Sequence, residues 1–118
     1  MHESSLVTTL LRQVDDIAAE HQATQVTEVR IEVGQLSGVE PILISEAFER
    51  LKLGTMSREA TLIIDDIGLM CRCESCQENY TTAELTFVCP RCGSSQVTVT
   101  RGDGVELVDV AMQTSGSV

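Results

Sequence analysis

The chain has 118 residues, carries a formal net charge of −10, and is 42% hydrophobic but only 3% aromatic. That size supports one ordinary domain, or a small domain plus a metal-stapled module, around a modest core of Leu, Ile, Val and Ala. The acidic excess works against nucleic acid as a partner. No apolar run reaches membrane-spanning length, and the first residues lack the basic start and apolar core of a secretory signal, so a cytoplasmic protein without a membrane partner is expected.

Residues 4–20 are predicted as an amphipathic helix. Leu6, Val7, Leu10, Leu11, Val14, Ile17 and Ala18 recur at three- and four-residue steps, with Ser4 or Ser5 as the cap. Val29, Ile31 and Val33 alternate with Arg30 and Glu32, which predicts a half-buried strand ending at Gly34. A loop over 35–40 follows. Pro41 then suits the first position of a second helix, running to about Leu53, with Ile44, Ala47, Phe48 and Leu51 as its buried stripe. Residues 61–64 read as a second strand, ended by Asp65-Asp66 and Gly68. Val97 and Val99 begin another strand. Gly102-Asp103-Gly104 is a turn, residues 105–112 form a last strand, and 114–118 are a frayed tail.

Between these elements lie two knuckles, Cys73-Glu-Ser-Cys76 and Cys89-Pro-Arg-Cys92. Each C-x-x-C turn brings two thiolates to one ion. Together the turns supply the closed tetrahedral sulfur set of a structural zinc site, and Pro90 and Gly93 favour the sharp bends. A four-cysteine set with an odd fifth thiol fits a reducing compartment better than a disulfide framework. Residues 79–88 supply a hairpin or loose connection between the knuckles.

The expected fold class is therefore α+β: two helices on a small mixed or antiparallel three-stranded sheet, with an inserted zinc-ribbon-like four-cysteine module. Residues 1–68 and 96–118 form the discontinuous main domain, and 69–95 form the zinc-binding module. The last strand returns to pair with the first two.

Met1-His2-Glu3 is the other unusual feature. A terminal α-amine, the backbone amide nitrogen of His2 and its imidazole can close two fused chelate rings on Ni(II) or Cu(II), with Glu3 completing the set. Taken alone, so short a motif reads first as a solvated terminal histidine. Cys71 reads as a spectator beside a full ligand set. His21 suits the C-terminal end of the first helix. Met56, Met70 and Met112 are filler, and Asp65-Asp66 are turn residues. No nucleophile–base constellation and no phosphate loop stands out, so the chain is not read as an enzyme. A zinc-ribbon nucleic-acid-binding or regulatory module is the alternative class. One Tyr, two Phe and the acidic charge argue against it.

The sequence resembles the HypA/HybF family of hydrogenase nickel-incorporation proteins. The likeness runs through Met1-His2-Glu3, Gly34-Gln-Leu-Ser-Gly-Val39, Ala47-Phe48-Glu49, Gly54-Thr55, both cysteine pairs and Gly102-Asp103, covering nearly the whole chain. The resemblance implies a nickel metallochaperone with Ni(II) as transient cargo and Zn(II) as structural metal. By that resemblance His2 with the Met1 amine holds nickel, Glu3 is a further ligand or docking group, and Glu40 assists. Glu40 is equally explained as an acidic residue before a helix N-terminus. Cys73, Cys76, Cys89 and Cys92 match the zinc ligands. The implied partners are a HypB-type GTPase, the [NiFe]-hydrogenase large subunit precursor and, in some organisms, urease maturation proteins.

Overall fold

In the computed structural model, residues 3–82 and 86–114 are described. Helix α1 spans Glu3–Glu20 and buries Val7, Leu10, Leu11, Val14 and Ala18 along one stripe. Ser4 and Ser5, expected as caps, lie inside its first turn. Their carbonyls accept the hydroxyls of Thr8 and Thr9 at 2.8 and 3.1 Å, and Arg50 donates to the Ser4 hydroxyl at 2.7 Å. The helix closes at His21. The imidazole Nδ1–H donates to the Ile17 carbonyl at 2.9 Å, as suits a helix C-terminus with unmet carbonyls. Gln22 then turns left-handed, with φ of 54°.

Strand β1 spans Ala23–Gly34, longer than the expected 29–33. Its first half is rich in Thr and Gln, so no clean apolar alternation marks it. Polar side chains bind it instead: Thr24 and Thr27 donate to the carbonyls of Gln113 and Ala111, both at 3.2 Å. Helix α2 spans Pro41–Leu51, with Pro in its first turn as expected and Ile44, Ala47 and Phe48 buried. It stops two residues short of Leu53. A 3-10 turn over Lys52–Gly54 takes over, and Thr55 seals it by donating its hydroxyl to the Lys52 carbonyl at 2.7 Å. Leu53 is 63% exposed.

Strand β2 spans Thr61–Ile67 and runs through Asp65-Asp66 rather than ending there. Asp65 is kept in the sheet by a partner: Arg30 donates to it at 2.9 Å. That hydrogen bond, with the Asp65 charge, raises the guanidinium pKa further. The remaining strands are β3 (Leu69–Cys73), β4 (Asn79–Thr82), β5 (Val97–Arg101) and β6 (Val105–Thr114). β6 takes in Thr114, a residue expected in the tail; residues 115–118 lie outside the described residues.

Two three-stranded sheets result, in the orders β2-β1-β6 and β4-β3-β5. The first is the expected sheet, with the last strand returning to β1. The second goes beyond the expectation, in which residues 69–73 simply open the zinc module. β3 pairs antiparallel with β4, Cys71 facing Tyr80, and with β5, Cys73 facing Val97.

By their contacts, the described residues divide into two compact units. One comprises residues 3–31, Val39–Asp65 and 107–114; the other comprises Glu32–Gly38 and Asp66–Glu106. The first has the apolar stripes of α1 and α2 and the inward residues Val26, Val29 and Ile31 as its core. Asp15 of α1 accepts the N–H of Met56 at 3.0 Å in this unit. The second is built on β3, with Leu69, Cys71, Cys73 and Cys89 buried. In it the Leu36 and Gly34 amides donate to the Gly102 and Gly104 carbonyls, both at 2.9 Å, and Arg101 pairs with Glu32.

Candidate metal centre

Both knuckles fold by the same local rule. In the first, the Gln77 N–H donates to the Cys73 carbonyl at 2.9 Å, and the Cys73 N–H donates to the Glu78 carbonyl at 2.8 Å. In the second, the Gly93 N–H donates to the Cys89 carbonyl at 2.9 Å, and the Cys89 N–H donates to the Ser94 carbonyl at 2.9 Å. The fifth residue of each turn is left-handed, with φ of 65° at Gln77 and 76° at Gly93. Glycine enters that region freely. Gln77 does so while tied down, its side-chain amide donating to the Glu74 carbonyl at 3.0 Å and its oxygen accepting from Arg72.

The turns are also linked to each other. The hydroxyls of Ser75 and Ser94 meet at 2.9 Å, and the Glu74 N–H donates to the Gln96 carbonyl at 2.8 Å. The spacing of the cysteines does not announce these cross-links. Only the small polar residues inside and just after the knuckles hint at them.

The sulfurs of Cys73, Cys76, Cys89 and Cys92 all lie within 4.8 Å of one another. Cys73 is 3.5 Å from Cys92, and Cys76 is 3.7 Å from Cys89. A disulfide needs sulfurs about 2 Å apart, so these are not disulfide pairs. A tetrahedral ion with arms of about 2.3 Å has ligand–ligand edges of about 3.8 Å. The observed separations fit that figure, and this is the only such His/Cys/Asp/Glu group among the described residues.

The titration behaviour of the set points the same way. The backbone N–H of Cys76 hydrogen-bonds the Cys73 sulfur and, with help from Cys92, brings its pKa down to about 7. Cys89 is lowered chiefly by the N–H of Cys92. The Glu78 N–H pulls Cys76 down, but burial and the sulfurs of Cys73, Cys89 and Cys92 outweigh it and push Cys76 up to about 12. Cys92 is drawn down by the Ser94 N–H, yet Cys73 and burial raise it on balance. Four thiolates cannot crowd together without a cation, and a thiophilic divalent ion is what would let all four ionise.

Cys71 stands outside this group. It is 1% exposed in β3 and faces Tyr80 across the ladder. Burial, then the Cys71 thiol, pushes the Tyr80 hydroxyl up to about 12, and that hydroxyl donates to the Thr86 carbonyl at 3.2 Å. Met1 and His2 lie outside the described residues. Glu3 begins α1. Glu40 is the N-cap residue of α2, exposed, and its side chain makes no capping bond. His21 is bonded within its own helix end. Among the described residues, no helix is long and apolar enough to cross a membrane.

Comparison with known proteins adds to this geometry. A family model described as "Hydrogenase/urease nickel incorporation, metallochaperone, hypA" matches residues 1–112. The hydrogenase maturation factor HypA of Shewanella oneidensis is 40% identical over 113 residues, covering 96% of each chain. That of Aquifex aeolicus is 37% identical over 113 residues, covering 96% of this chain and 98% of its own. The solution structure of the Ni metallochaperone HypA from Helicobacter pylori superposes with a TM-score of 0.78 at 27% identity. It covers 98% of this chain and 100% of that one.

Proposed function

Because the chain belongs to the HypA family, we propose that it is a nickel metallochaperone that takes up Ni(II) at its N-terminus and delivers it to the [NiFe]-hydrogenase large subunit precursor. The four-sulfur cluster carries this reading. Four thiolates close a tetrahedral ion and leave no open position, so the cluster suits a resident structural zinc and not an exchangeable cargo. The cargo needs another site. The α-amine of Met1 with the amide and imidazole of His2 offers a set of nitrogen donors of the kind that suits Ni(II), and Glu3 and Glu40 are the acidic groups proposed to assist.

In this division of labour, residues 1–68 and 96–118 handle nickel and 69–95 form the zinc module. Zinc, when bound, supplies a cross-link between the two knuckles. The chain's own contribution is to hold the thiolates with backbone N–H groups and to join the turns through Ser75 and Ser94. Transfer proceeds by ligand exchange within a cytoplasmic complex. A HypB-type GTPase supplies nucleotide hydrolysis, and the chain itself acts as carrier and not catalyst. Urease maturation proteins are a further proposed destination.

Metal analysis separates the two sites. A Cys73→Ala/Cys92→Ala chain should lose its zinc while still taking up nickel. Zinc retained at one per chain by that variant, or nickel lost along with the zinc, would contradict the assignment.

A further inference from the structure

β6 is an outer strand of its sheet, paired with β1 alone among the described residues. It is ten residues long and carries neither Pro nor Lys. Sheet edges usually rely on such devices to discourage pairing with other chains. Beside this edge, in the first compact unit, lies a groove of about 510 Å³. Its walls include Ile17 of α1, His21 just past its end, and Leu107, Val108, Asp109 and Val110 of β6. Val108 is 48% exposed.

We propose that this groove docks an extended segment of a partner protein, apolar on one face and basic on the other, which adds to the sheet as a strand beside β6. The proposal goes beyond the nickel reading and does not depend on it. An edge strand offers backbone N–H and C=O groups at strand spacing, and an extended chain can meet them whereas a helix cannot. Side chains of an added strand alternate between two faces. Those directed to the groove meet Ile17, Leu107 and Val110, which calls for apolar residues. The charges present are carboxylates. Asp109 lines the groove, and Glu20 follows Ile17 by three positions and so neighbours it on the helix surface. No Lys or Arg among the described residues lines the groove. The cation that senses Asp109 is Arg30, which is already paired with Asp65 at 2.9 Å. The local field therefore favours Lys or Arg on the incoming strand. A second copy of this chain fits poorly. β6 carries Glu106 and Asp109 and no basic residue, so self-pairing would bring carboxylates against carboxylates.

The test is an amide-resonance titration of the full-length, isotope-labelled chain without added nickel. The probe is a blocked ten-residue peptide of alternating lysine and valine. The controls are its glutamate–valine counterpart and a lysine–valine peptide with a central proline. Shifts should concentrate at Ile17, His21 and residues 107–112, weaken as salt rises, and be absent with both controls. Asp109→Asn should weaken binding about threefold, as for one exposed charge pair. Val108→Lys should weaken it more, and both sites are exposed enough for the fold to persist. Absence of these shifts, shifts centred elsewhere, equal binding of either control, or self-association through β6 before peptide is added would each overturn the proposal.

Discussion

A Cβ atom placed on Gly34 would lie 2.3 Å from the carbonyl carbon of Gly102. The two backbones touch where the end of β1 passes the turn before β6. Gly102 in turn presses on the Gly68 carbonyl, which a Cβ at 102 would approach to 2.6 Å, and its φ is +96°. Both partners of the contact are backbone and cannot swing aside. Gly34→Ala and Gly102→Ala should each cost about 3 kcal/mol, at the upper end of overpacking, read as a lower urea midpoint. Gly104→Ala, with nothing within 4 Å of its added Cβ, should change stability by less than about 0.5 kcal/mol.

The matching turns at Gln77 and Gly93 make a second comparison. Gly93→Val puts a branched side chain into the left-handed region and should cost about 2 kcal/mol, with faster metal loss to a chelator. Gln77→Gly relieves the same strain but gives up the Arg72 and Glu74 contacts. Its stability should stay within about 1 kcal/mol of the parent. Thermal unfolding of the metal-loaded chains distinguishes the two outcomes.

Proton release should accompany metal binding at the cysteine cluster. At neutral pH, Cys73 is partly ionised at about 7, whereas Cys76, at about 12, and Cys92, also raised, hold their protons. Binding must expel at least the latter two. Affinity should therefore fall as pH falls, by at least about a hundredfold per pH unit near pH 7.5 and more steeply below 7, where Cys73 also protonates. Chelator competition across pH, with calorimetry in two buffers of different ionisation enthalpy, would measure the slope and the proton count. Fewer than two protons released would contradict these charge states.

Ser57 is fully buried, and its hydroxyl has no hydrogen-bond partner among the described residues. Ser57→Ala removes a polar group left without compensation. It should stabilise the chain by about 1 kcal/mol in denaturant unfolding.

What can be read from residue order follows from how each element is held. Ile44, Ala47 and Phe48 at helical spacing behind Pro41 mark α2, because burial sets that period. The paired C-x-x-C turns foretell the sulfur cluster, since two residues per turn is a covalent-geometry constraint. The first half of β1 escapes notice because its register rests on Thr24 and Thr27 bonding a strand more than eighty positions away. β3 is obscured because Cys71 and Cys73 alternate as a strand should, yet cysteines read first as ligands. Asp65-Asp66 look like a turn because Arg30, the partner of Asp65, is distant in sequence. The contact of Gly34 with Gly102 is likewise invisible until both strands are in place.

The central claim is that nickel is held by the amino terminus together with His2, apart from the cysteine cluster. Isothermal titration of Ni(II) into native, N-acetylated and His2→Ala chains in one buffer tests it most directly. Acetylation and His2→Ala each remove a ligand, so each should weaken binding by more than the roughly 10- to 100-fold that loss of a group merely supporting a ligand costs, with zinc content and fold unchanged; Glu3→Gln should cost less. An acetylated chain that binds nickel as tightly as the native one would contradict the claim and move the site to internal groups such as His21.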